Sequence, residues 1–173
     1  MRMVTDTSDT APSDVDRRIV ARQIGRTPRA LESVAVRCVH GLPAVTKQAP
    51  FDGEERPFPT AYYVVCPHLV RQIDRLESGG AIKRLEAELA SNEALLEATR
   101  AASRRHAQID DRGSAIAASG SADRLKCLHA HAAFELAAGD HPLGAEVLRE
   151  AAPRWCADAR CARYGATGEA RTN

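Results

Sequence analysis

The sequence predicts an α+β fold: a small antiparallel sheet of about three strands packed against five or six helices, with a disordered N-terminus. Three observations predict it. β-Branched alternation is confined to the stretch between Pro28 and Pro67, helical periodicity takes over from His68 onward, and Pro or Gly separates most segments. With 173 residues, 44% of them hydrophobic, the chain is long enough for one core, since a domain of this size buries roughly 70% of its unfolded surface. Residues 14–156 therefore read as one domain, between a polar, disordered lead (1–13) and a weakly ordered tail (157–173).

The elements follow in order. Ser13 or Asp14 opens a helix in which Val15, Ile19, Val20 and Ile24 recur at helical spacing, and Gly25 stops it. SVAVRCV and AVTKQA flank the turn-like His40-Gly41-Leu42-Pro43 and predict a hairpin. Pro50 to Pro59 reads as a loop, and Thr60 to Cys66 as a third strand ended by Pro67. Leu69, Val70, Ile73 and Leu76 mark a short amphipathic helix stopped by Gly79-Gly80, and Ile82, Leu85 and Leu89 mark a second. Ser91 or Asn92 caps a third, through EALLEATRAASRRHAQ, whose charges form a solvated face. Residues 111–121 are a flexible connection, Ser121 opens a helix through Ala138, and a last helix runs from Leu143 to Ala152.

Composition excludes several classes of function. The formal net charge is +1, which gives long-range attraction to nucleic acid or acidic lipid little to act on. Only 4% of residues are aromatic, too few for a base-stacking platform. No stretch approaches the roughly 18 apolar residues of a membrane span, and MRMVTDTSDTAPSD lacks the apolar centre of a secretory signal. These features place the chain in the cytoplasm. Reduced thiols prevail there, so the five cysteines read as ligands, nucleophiles or small buried side chains rather than disulfides.

Three of those cysteines are followed two residues later by a histidine: Cys38/His40, Cys66/His68 and Cys127/His129, with His131 extending the last cluster. ARQIGR, RCVHGLPAV, PFPTAYYVVCP, KCLHAHA and HPLG, in this order, resemble domain-of-unknown-function family 501, a bacterial family common in actinobacteria. The resemblance covers about residues 15 to 156. It marks Cys38, Gly41, Pro43, Phe58, Pro59, Thr60, Tyr62, Tyr63, Cys66, Pro67, Lys126, Cys127, Leu128, His129, Pro142 and Gly144. His141 stands where the family pattern has Asn, and His40, His68 and His131 lie outside that pattern. The resemblance implies a genetic setting beside cell-division and polyphosphate genes, and no activity.

In an up-down-up meander, Cys38 and Cys66 emerge at the same edge of the sheet, about 10 Å apart before the loops bend. A tetrahedral zinc with Zn–S bonds of about 2.3 Å could join them to Cys127 from a helix over that edge. For the fourth ligand, helical geometry favours His131, which shares a face with Cys127, whereas the resemblance favours His129. A helix starting near Leu128 removes the conflict, and His129 ranks first, then His131, then Cys156. The expected site is a structural zinc centre of Cys38, Cys66, Cys127 and His129, with an iron-sulfur cluster as the alternative cofactor. It requires the three sulfurs to lie within about 4.5 Å of one another.

Two further readings stay open. Cys127, beside Lys126 and a His near a helix start, suits a catalytic thiol, or a zinc-bound water served by an acid such as Glu135. Alternatively, the cysteines are buried small hydrophobes of a protein-interaction module, with Phe58, Tyr62 and Tyr63 as core residues. HPLG reads as a helix cap, with anion binding the lesser choice.

Overall fold

The computed structural model describes residues 9–58 and 60–166; Pro59 and the outer parts of the lead and tail lie outside the described residues. Helix α1 (Asp14–Ile24) opens with a capping box in which Ser13 and Asp16 each satisfy the other's backbone N–H, and Gly25 closes it at φ 70°. The sheet is β1 (Leu31–Arg37), β2 (Pro43–Gln48) and β3 (Tyr62–Val64), antiparallel in the order β1-β2-β3. Val36 opposes Val45, and Val45 opposes Val64. The β1–β2 turn uses Gly41 at φ 73°, a left-handed conformation that a side chain would strain.

Five helices follow: α2 (Pro67–Ser78), α3 (Ala81–Ser91), α4 (Glu93–Gln108), α5 (Leu128–Ala138) and α6 (Pro142–Glu150). Three 3-10 turns, Ile109–Asp111, Ile116–Ala118 and Arg160–Tyr164, complete the order. Val45 and Val64 share the main core with Leu69 and Ile73 of α2 and Leu128 and Ala132 of α5. Thr46, Tyr63 and Val65 point the other way, towards Val20 and Ile24 of α1. The sheet therefore lies between two helical layers, which is why β2 is buried on both faces.

α5 and α6 approach closely because Gly144 has no side chain. A Cβ there would stand 2.5 Å from the His131 carbonyl and 2.7 Å from the Glu135 Cβ. Among the described residues, no helix is long and apolar enough to cross a membrane.

Three boundaries differ from the sequence expectation. The lead is engaged before Ser13, because Thr10 exchanges two backbone hydrogen bonds with Val34 on the outer edge of β1. The helix expected from Ser121 begins at Leu128. Side chains from neighbouring helices bind the amides before and at that start: Glu86 Oε1 accepts from Leu125 N at 2.9 Å, and Glu77 Oε1 from Leu128 N at 2.7 Å. The segment expected as a loose tail contains the Arg160–Tyr164 turn, whose Cys161 is buried.

Candidate metal centre

The N-terminus of α5 presents Cys127 as its cap residue and His129 in its first turn. Opposite them stands α2, where Val70, Asp74 and Glu77 fall at spacings of four and three residues and so share one face. Cys127 Sγ lies 3.7 Å from His129 Nδ1, and Glu77 Oε1 lies 3.3 Å from the same nitrogen. The other ring nitrogen, Nε2, donates to the Val70 carbonyl at 3.3 Å, with Asp74 Oδ1 at 3.4 Å. Burial lowers the His129 pKa, but Cys127, then Glu77 and the Val70 carbonyl, outweigh it and hold the value at about 9.

Cys127 and His129 also line a cavity of about 430 Å³, together with Thr60, Tyr62, Tyr63 and Lys126. Tyr62 packs beside Phe134 with ring centroids 6.1 Å apart. Tyr63, expected in the core, is instead 38% exposed, on the edge strand β3 and on the face opposite its neighbours Tyr62 and Val64. Lys126 is tied back by its ammonium group, which donates to the Ala118 carbonyl at 2.8 Å.

The structure divides the ligand set expected from the sequence. Cys127 and His129 come together, and Glu77 completes the group of three in which every donor atom lies within 4.8 Å of the others. Cys38 and Cys66 do not join them. Cys66 caps the N-terminus of α2, whereas Glu77 stands eleven residues later in the sequence, about 16 Å along the helix at 1.5 Å per residue. His131 stands outside this group: its Nδ1 lies 2.8 Å from His141 Nε2, and burial pushes its pKa down to about 3. The backbone carbonyl of Cys156 accepts from His40 Nε2 at 2.7 Å, on the hairpin side. Glu135, considered as an acid for zinc-bound water, accepts from the His141 amide at 2.8 Å.

Sequence reasoning missed Glu77. A signal existed: an acidic side chain in the last turn of a helix faces the negative end of the helix dipole, which favours basic residues there. Glu77 offsets that cost by accepting from the first amide of α5, whose dipole has the opposite sign at that point.

A family model described as "Protein of unknown function (DUF501)" matches residues 34–115 and 103–149, more than half of the chain. The chain belongs to this family. No match was found among curated proteins or among solved structures. Thr60, Tyr62, Tyr63, Lys126, Cys127 and His129, all within the matched residues, come from two segments more than sixty residues apart, and all six line the same cavity.

Proposed function

We propose that this chain binds a zinc-type divalent ion through Glu77, Cys127 and His129, and that the ion's remaining coordination position serves a small molecule in the adjoining cavity. The observation that carries the reading is the spacing of the donors. Tetrahedral zinc with a Zn–S bond of about 2.3 Å and Zn–N and Zn–O bonds of about 2.0–2.1 Å requires S···N near 3.6 Å and N···O near 3.3 Å. The structure has 3.7 Å and 3.3 Å.

The surroundings support it. A ligating histidine usually gives its second N–H to a carbonyl or carboxylate, and His129 Nε2 meets both the Val70 carbonyl and Asp74. Two of the three donors line the cavity, so a ligand there reaches the open position that a three-residue zinc site leaves. A bound ion would polarise an oxygen or sulfur donor placed there, with Lys126 and Tyr62 on the same walls.

A second reading is a nucleophilic thiol: Cys127 Sγ lies 3.7 Å from His129 Nδ1 and lines the same cavity. One experiment separates the two. Protein purified without chelator is assayed for metal as wild type, Glu77→Gln and His129→Ala, with Cys127 alkylation measured before and after chelation. The metal reading expects an ion lost in both variants and a Cys127 that alkylates faster once metal is removed. Equal metal content in all three proteins, with alkylation slowed by His129→Ala, establishes the thiol instead.

A further inference from the structure

The cavity beside Glu77, Cys127 and His129 has two unlike parts, and together they select a ligand. Val64, Val70, Ala117 and Ala130 give it apolar walls. At about 430 Å³ it lies in the lower part of the roughly 300–1,000 Å³ range of small-molecule pockets.

Positive features gather where Cys127 and His129 enter it. Lys126, the residue before the α5 cap, lines the cavity. Its ammonium group stays at the wall, because it donates to the carbonyl of Ala118, the neighbour of Ala117, at 2.8 Å. That bond uses one of its three N–H groups and leaves the others to a ligand. The first turn of α5 adds to the effect, since its N–H groups lack partners within the helix. Glu77 takes the Leu128 amide, and the Cys127 side chain caps none. His129 and Ala130, next in that turn, both line the cavity, which places the positive end of the helix dipole at its wall.

Charge balance narrows the choice. A divalent ion is neutralised by the Cys127 thiolate and the Glu77 carboxylate, so the Lys126 charge is in excess. Asp74, also on the wall, is 60% exposed and lies 3.4 Å from His129 Nε2, and solvent weakens its field in the cavity. A single anionic group restores neutrality. Among the described residues that line the cavity none is an arginine, the side chain whose paired donors suit phosphate, and the apolar walls would leave several phosphate oxygens without donors.

We propose that the cavity takes a small carboxylic acid with an apolar body, its carboxylate at the ion's open position beside Lys126 and its body covered by Val64, Val70, Ala117 and Ala130. Such a ligand depends on the ion proposed at Glu77, Cys127 and His129; Lys126 and the apolar walls decide its class.

The full chain is loaded with cobalt, and the visible d–d bands are followed as acetate, butyrate, hexanoate, hexanamide or inorganic phosphate is added. Hexanoate is expected to shift the bands with saturation, binding about tenfold or more tighter than hexanamide or phosphate. Affinity should rise about 4-fold per methylene from acetate to hexanoate, the gain of burying each against an apolar wall. Lys126→Met should weaken hexanoate about fivefold or more, with cobalt content and hexanamide binding unchanged. Cobalt bound with bands that hexanoate does not move overturns the ligand class and leaves the metal centre standing. So do acetate binding as tightly as hexanoate, phosphate binding better than either, or unaltered hexanoate affinity in Lys126→Met. A wild-type protein that retains no cobalt, or Glu77→Gln that retains as much, overturns the metal centre and this ligand with it.

Discussion

Replacing Asp16 with asparagine tests the account of how α1 is fixed to the hairpin. The Asp16 carboxylate receives Arg37 in a two-pronged ion pair, Nη1 to Oδ1 at 2.8 Å and Nη2 to Oδ2 at 3.0 Å, and the Ser13 amide at 3.0 Å. Arg37, then Ser13, pull its pKa from 3.8 to about 2, against the opposing effect of burial. At about 1.4 kcal/mol per pH unit that gap is worth about 2.5 kcal/mol of folding free energy. The unfolded chain protonates first as pH falls. The stabilisation is therefore complete above about pH 5, declines as pH drops below 4, and is gone once pH passes below about 2.

Asparagine keeps the size and loses the charge, so Asp16→Asn should lower stability by about 2 kcal/mol at pH 7. The assay is urea denaturation followed by the fluorescence of the single tryptophan, Trp155, at pH 7, 5, 3 and 2. The difference between the two proteins should shrink as the solution is acidified and nearly vanish at pH 2. An undiminished difference at pH 2, or none at pH 7, refutes the ion-pair account.

Other perturbations have equally definite outcomes. Gly144→Ala forces a Cβ to within 2.5 Å of the His131 carbonyl, so denaturation should show a loss of about 1–3 kcal/mol as α5 and α6 separate. His106→Ala removes the acceptor of the buried Ala61 amide at 3.2 Å and the donor to the Ser114 carbonyl at 2.9 Å; a loss of at least about 2 kcal/mol is expected, and near-neutral stability contradicts it. Burial holds His131 and His141 neutral, near pKa 3 and 4. Wild-type stability should therefore fall as pH drops from about 6.5 to 4, and His131→Leu should flatten that slope. In the metal-free protein, half-buried Cys127 should alkylate well before Cys66, whose thiol burial raises to about 11.

Local signals written in a few residues were readable. Gly25 ends α1, Gly79-Gly80 separates α2 from α3, and alternation in SVAVRCV and AVTKQA makes the hairpin. These depend on backbone conformations or on one repeating face, which neighbouring residues specify almost alone. Of the two starts open to α5, Ser121 and the neighbourhood of Leu128, the structure has Leu128, because the amides of Leu125 and Leu128 find carboxylates on α3 and α2. For the candidate centre, Cys127 and His129 were visible as neighbours in KCLH, but Glu77 lies fifty residues upstream and announces nothing by spacing.

By itself the sequence determined the α+β class, the membership of its motifs in a family, and the pairing of Cys127 with His129, since all three are carried by short-range patterns. Only the tertiary structure decided the grouping of the cysteines. Packing α2 against α5 turns Glu77 towards Cys127, while His68 in the first turn of α2 and His40 of the hairpin hold the Pro153 and Cys156 carbonyls of the segment after α6 at the helix's other end. A rigid helix keeps its two ends apart, and no count of residues along the chain reveals which partner waits at each end.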